Sequence, residues 1–317
     1  MIDYITKPEV KLLSYTNNPE KVVATAARTC YSLDDPITIY EKLSDEDVKT
    51  AISKLPASHT SPFEHASFTF AINNVSRTLL AQITRHRIAT FSVKSQRYVN
   101  TIKDFRPYIP ESILNNPEAK EIYDTVIDKI ALAYEDIQDT LVVQMAYDTF
   151  ANEFDPVYET ELCKAYCDIH CLPNRADFII DRYAILEIFT YLTNLSIAER
   201  KEWLKENDLE HLWSRFVDFR RRCGEDARYI LPNACNTSMV MTMNAGSLMH
   251  FFNLRCCNRA QEEIRYLAWK MRDEVMKVAP TIFDGRSGPS CLVTGKCSEG
   301  IMTCKKPYTK DNIPHYD

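Results

Sequence analysis

Glycine is nearly missing from this sequence. Six occur in 317 residues, at positions 224, 246, 285, 288, 295 and 300, so neither a G-x-G-x-x-G fingerprint nor a P-loop exists in it. If the chain holds a nucleotide, side chains and ordinary backbone amides must hold the phosphates. No apolar run approaches the roughly 20 residues that span a bilayer. MIDYITKPEV lacks the basic start and apolar stretch of an export signal, so the expected compartment is the cytoplasm, with no membrane partner. The eleven cysteines include no C-x-x-C pair. Their odd number and the lack of an export signal favour free thiols over a disulfide framework.

Positive charge is also scarce overall, the formal net charge being −6, which argues against wholesale nucleic-acid binding. It is concentrated locally. RHRIATFSVKSQRY (85–98) places Arg85, Arg87, Lys94 and Arg97 around His86. In an extended stretch residues two apart share a face, so Ser95 and Arg97 project together. A hydroxyl beside a guanidinium fork is a good receptor for phosphate oxygens.

The chain around this patch alternates short elements. VKLLSY (10–15) reads as a strand, PEKVVATAARTCYS as a helix opened by proline, and DEDVKTAISKL (45–55) as a helix with acids at its start. ASFTFAINNV alternates like a half-buried strand, and SRTLLAQITRHR reads as a helix capped by Ser76 that delivers Arg85–Arg87 at its end. Residues 117–222 form a long helical stretch, 244–280 one final helix, and 285–317 a Cys-bearing tail with little regular character. The mixture predicts a single α+β domain over 1–317, a mixed or antiparallel sheet packed with long helices and interrupted by a helical insertion.

Three further segments carry chemistry-bearing residues. SHTSPFEH (58–65) packs two histidines, two hydroxyls and Glu64 beside a strand start, and ARYILP sets Arg228 before an apolar run. Taken alone, each reads first as an ordinary turn or surface arginine. On the last helix Asn244 and Arg255 are eleven apart, close to three turns, and so share a face. Apolar Leu248, Phe251 and Phe252 lie between them, so an arginine there needs an anion, whether from a ligand or from a structural salt bridge.

Arg-His-Arg, seven residues, then Ser-x-Arg (85–87 and 95–97) resembles the signature of the flavin-dependent thymidylate synthases. SHTSPFEH, ARYILP and NAGSLMHFFNLR followed by AQEEIR also resemble segments of that family, in the same order, over roughly 1–110 and 224–283. The resemblance implies FAD as cofactor, contacted by His59, Ser61, Glu64, Arg85, His86, Arg87, Ser92, Asn244 and His250. It implies dUMP as substrate, held by Gln82, Arg85, Ser95, Gln96, Arg97, Arg228 and Arg255. Arg255 is the implied catalytic residue, gripping and polarising the uracil. Methylenetetrahydrofolate would be the carbon donor and NADPH or NADH the reductant, in a homotetramer with shared active sites. Two positions depart from the pattern: Gly246 stands where some members place an FAD-touching arginine, and Val93 where some have a polar residue.

Two rival readings have their own residues. RFVDFRRRC (215–223) with nearby aromatics suggests a single-strand nucleic-acid module. Cys163, Cys167 and Cys171, with Cys291, Cys297 and Cys304 in the tail, suggest a metal protein. Without a C-x-x-C pair zinc has little support, and no metal ligand is assigned.

Overall fold

The computed structural model describes residues 3–56, 59–96, 106–153, 156–172, 180–314 and 316. Strand β1 (Glu9–Tyr15) is followed by helices α1 (Pro19–Thr29), α2 (Pro36–Lys42) and α3 (Asp45–Ser53). A 3-10 turn (Ser61–His65) leads into β2 (Ser67–Ser76), α4 (Arg77–Ile83) and β3 (Thr90–Val93). Then come α5 (Glu111–Leu114), α6 (Pro117–Glu153), α7 (Pro156–Ile169), α8 (Arg182–Asn194), α9 (Ile197–Glu206) and α10 (Glu210–Ala227). Strand β4 (Asn236–Asn244) precedes α11 (Ala245–Arg255), α12 (Glu262–Val278), α13 (Pro280–Phe283) and α14 (Ser290–Thr294).

The local signals mostly act where expected. Pro19 opens α1, and Ser44 with Asp47 forms a capping box at α3. Ser76 caps α4, its hydroxyl accepting from the Leu79 amide. Three expectations need correction. The single final helix is two, because α11 ends at Arg255 and α12 starts only at Glu262, where Glu262 and Glu263 suit a helix's first turn. Of the period-2 stretch TFSVKSQRY, the described residues form a strand only as far as Val93, where the register with β4 ends. Pro280 begins the short helix α13 rather than merely ending a long one.

The chain divides into two compact units, one of residues 1–94, 106–120 and 233–317, the other of 95–105 and 121–232. In the first, four strands form an antiparallel sheet of order β1-β2-β4-β3, so the fold is α+β. Buried residues of β2 face buried methionines of β4 in register: Phe68 opposite Met243, Phe70 opposite Met241, Ile72 opposite Met239. Phe251 and Phe252 of α11 and Leu267, Ala268 and Trp269 of α12 complete that core. In the second unit Val142 and Ala146 of α6, Tyr158 and Leu162 of α7, Ile188 and Phe189 of α8 and Phe216 of α10 form a helical core. Among the described residues no helix is long and apolar enough to cross a membrane.

Candidate active site

The helix α4 is held at its start by a buried carboxylate. Glu263, 3% exposed, accepts from the Ser76 amide (2.6 Å) and from the Ser76 hydroxyl (2.5 Å). Burial pushes its carboxyl above the ordinary value, and the two Ser76 bonds oppose that shift. The contact fixes the beginning of α12 against the beginning of α4. The chain then leaves α4 through Arg85 and His86, whose amides bond back to the carbonyls of Gln82 (3.4 Å) and Ile83 (3.1 Å).

There the end of α4 meets the end of α11. Arg255 Nε donates to His86 Nε2 at 3.1 Å, and Arg255 Nη2 donates to the Gln82 carbonyl at 3.5 Å. A ring nitrogen that accepts must be unprotonated, so His86 carries its proton on Nδ1. The ring stands edge-on to Phe251 (centroids 4.9 Å apart) and His250 (6.3 Å). Burial first, then the Arg255 and His250 charges, push its pKa down to about 4. Burial and the neighbouring Arg85 also lower Arg255, so its positive charge is held under tension. Among the described residues no carboxylate pairs with Arg85, Arg87 or Arg255. Of the two alternatives for Arg255, a structural salt bridge and an external anion, the first is not realised among the described residues.

The other end of α11 gathers the remaining residues of this unit. Asn244 caps the helix, Oδ1 accepting from the Ser247 amide at 2.8 Å, which leaves Nδ2 to donate outward. A Cβ built on Gly246 would lie 3.6 Å from Asn244 Oδ1, 3.7 Å from Glu64 Cγ and 3.7 Å from the Thr60 carbonyl. The SHTSPFEH loop thus touches the first turn of α11. Pro62 and Phe63 bury themselves as its anchors while His59, Ser61 and Glu64 are exposed. Eleven residues at about 1.5 Å each separate Asn244 from Arg255 by roughly 16 Å, with His250 exposed about midway.

Not every expected residue joins this cluster. Ser92 lies exposed on the edge strand β3, opposite Val240. Gln82 uses its side-chain amide to bond Gln261 Oε1, a partner the sequence reading did not single out. Ser95, Gln96 and Arg228 belong to the second unit, where Arg228 stands at the end of α10 with its guanidinium over the Tyr229 ring (5.9 Å). Arg97 lies outside the described residues. Glu263 was missed as well. An acid near the start of a helix reads as dipole compensation, and only the tertiary contact with Ser76 shows otherwise.

The rival segments fare differently. Phe216 and Phe219 of RFVDFRRRC are buried, and Arg220 and Arg221 lie 3.5 Å and 2.8 Å from Asp139 and Asp218. The two phenylalanines therefore offer no exposed stacking platform. Cys167 is buried on α7, and Cys171 is exposed beyond that helix.

Comparisons with known proteins agree with one another. The family model described as thymidylate synthase complementing protein matches residues 11–281. A flavin-dependent thymidylate synthase of Clostridium tetani is 38% identical over 299 residues, 94% of this chain and 93% of that one. That of Geobacter sulfurreducens is 34% identical, covering 94% of each, and that of Nitratidesulfovibrio vulgaris 30% identical, covering 98% and 99%. Two solved structures align more remotely. A UMP/dUMP methylase from Streptomyces cacaoi bound with 5-Br dUMP is 19% identical, with TM-score 0.48 over 89% of this chain and 95% of that one. A Helicobacter pylori flavin-dependent thymidylate synthase complexed with FAD and dUMP is 20% identical, with TM-score 0.44 over 88% and 99%. With the family model spanning 11–281 and relatives of 30–38% identity matching nearly end to end, the chain belongs to the flavin-dependent thymidylate synthases.

Proposed function

We propose that this chain converts dUMP to dTMP with methylenetetrahydrofolate as carbon donor and NADPH or NADH as reductant, FAD carrying the hydride between them. The observation that carries the reading is the cationic junction of α4 and α11. Arg85, Arg87 and Arg255 have no carboxylate partner among the described residues, and Arg255 is half-buried beside the neutral acceptor His86. Such a junction fits an anionic ligand rich in acceptors, and a chain without a glycine-rich loop must hold phosphates with side chains and ordinary backbone amides.

FAD fits the donors on offer: Arg85 and Arg87, exposed His59, Ser61 and His250, and Nδ2 of Asn244. Glu64, His86 and Ser92 complete the proposed flavin set. When bound, the cofactor supplies hydride transfer, and the protein supplies placement and charge. We assign dUMP to Gln82, Arg85, Ser95, Gln96, Arg97, Arg228 and Arg255. Arg255 stabilises negative charge developing on the pyrimidine, an electrostatic role that a half-buried cation performs better than an exposed one. His86 keeps the guanidinium oriented by accepting from Nε without adding a positive charge beside it. Gln82 does the same through its carbonyl. We further propose that both units act together as one synthase in a cytoplasmic homotetramer.

The test is the absorption spectrum and turnover of the purified protein. A yellow protein that oxidises NAD(P)H in a dUMP-dependent manner supports the assignment. Protein that stays colourless after incubation with FAD refutes it. Arg255→Ala abolishes dTMP formation while flavin remains bound, and loss of flavin instead would mean that the division between flavin and nucleotide residues is wrong.

A further inference from the structure

The loop after α11 and the C-terminal segment enclose a small cavity of about 30 Å³, lined by Cys257, Cys291, Cys297 and Cys304 together with Glu299 and Tyr308. Its volume suits a single small occupant and no organic ligand. All eleven cysteines are free thiols, so the four that line this cavity are joined by no disulfide. Cys257 is the member the sequence hides, because it sits 34 positions before the first tail cysteine and beside another cysteine.

Two of the four sulfurs accept backbone hydrogen bonds. The Tyr308 amide lies 3.3 Å from Cys291 Sγ, and the Lys306 amide 3.3 Å from Cys304 Sγ. Backbone N–H donors of this kind disperse negative charge on sulfur. Lys296, Lys305 and Lys306 adjoin Cys297 and Cys304 in the chain. Cys304 Sγ also lies 3.4 Å from the Lys306 carbonyl, the contact a protonated thiol makes. The two segments are already clamped to each other. Asn258 Nδ2 donates to the Lys306 carbonyl (2.8 Å), the Tyr308 hydroxyl donates to Asn258 Oδ1 (2.6 Å), and Arg259 pairs with Glu299 (3.5 Å).

We propose that Cys257, Cys291, Cys297 and Cys304 form a four-thiolate site for a structural zinc ion. As the side chains stand, no three His, Cys, Asp or Glu groups among the described residues close around a common point. The four side chains must therefore draw together on the ion, to the tetrahedral zinc–sulfur distance of about 2.3 Å. Four soft thiolates favour zinc over the hard cations. Binding releases the thiol protons to solvent, and the three lysines offset the net negative charge left on the cluster. The ion ties the tail to Cys257, two residues after Arg255, and so steadies the end of α11 from outside the substrate pocket. The site is independent of the functional reading above.

The experiment uses the full chain purified under reducing conditions. Elemental analysis is expected to give close to one zinc per chain. After chelation, titration with Co²⁺ alone is expected to give the thiolate-to-cobalt charge-transfer absorption of a tetrahedral sulfur site. Cys297→Ser and Cys304→Ser, both at positions open to solvent at least in part, lose the metal while their circular dichroism stays native. Cys30→Ser, at an exposed cysteine on no part of this cavity, keeps it. Metal-free wild type without a cobalt charge-transfer band overturns the proposal. So does zinc retained in both tail variants. Metal content is read whether or not the protein turns over dUMP, so a failed activity and a failed zinc site are distinguishable.

Discussion

His86 should refuse a proton until the solution is strongly acidic, and that refusal has a measurable effect on stability. Its pKa falls from the ordinary 6.5 to about 4 in the folded chain, whereas the unfolded chain keeps the ordinary value. Between those limits the unfolded chain binds a proton that the folded chain does not, so stability falls as pH drops from 6.5 toward 4 and is regained as pH rises. One pKa unit is worth about 1.4 kcal/mol, which sets a ceiling of about 3 kcal/mol. The ring is only half-buried, and solvent screening reduces the expected contribution to about 1.5 kcal/mol. The perturbation is His86→Gln, whose side-chain carbonyl still accepts from Arg255 Nε but does not titrate. Urea unfolding of flavin-free protein at intervals from pH 4.5 to 7 gives the two stability curves. Wild type should climb over the variant by about 1.5 kcal/mol across that window. Parallel curves would refute the placement of His86, since every other titrating group is common to both proteins.

Other outcomes follow from single contacts. Glu263→Ala strands a buried Ser76 amide and hydroxyl and should cost roughly 2–4 kcal/mol, read as a fall in melting temperature. Glu263→Gln keeps an acceptor for the amide but replaces the acceptor of the hydroxyl's proton with a donor, and should recover part of that loss. Because burial raises the Glu263 carboxyl, its proton is held more tightly in the folded chain. Its contribution is present at acidic pH and fades as pH rises through the folded value, and Glu263→Gln should remove that fade. Gly246→Ala should be tolerated, since its Cβ meets nothing closer than 3.6 Å and alanine is favoured by up to about 1 kcal/mol in a helix. A drop in melting temperature would contradict that geometry.

How much of this was legible beforehand varies with the range of the interaction. Caps and first-turn charges are local, so α1, α3 and α4 could be placed from Pro19, the Ser44 capping box and Ser76. Strand β4 could have been read but was not: Met239, Met241 and Met243 alternate inward, yet methionine is not a typical strand residue. The break between α11 and α12 was hidden for a different reason. No glycine or proline marks it, and the side chains of Asn258 and Arg259 are engaged by the C-terminal segment instead. Cys257 and Glu263 stayed illegible on the same ground, each being defined by a partner far away in the chain.

The scarcity of glycine connects these observations. A glycine-rich loop brings backbone amides to a phosphate by local conformation alone. A chain that uses arginines instead must aim long, flexible side chains, and their aim depends on the helices beneath them. Here the aim is set twice over from a distance. The buried Glu263–Ser76 contact fixes where α4 begins, and His86 and the Gln82 carbonyl fix where the Arg255 guanidinium points. The first set of bonds touches no residue of the proposed substrate set, while the second is made entirely by residues of the proposed site. Damage to the two should therefore separate in kinetics. Loss of the Glu263 contact loosens the whole junction and weakens flavin and nucleotide retention together, whereas His86→Ala, which frees the guanidinium and removes one residue of the proposed flavin set while leaving the start of α4 in place, lowers kcat more than it raises KM for dUMP.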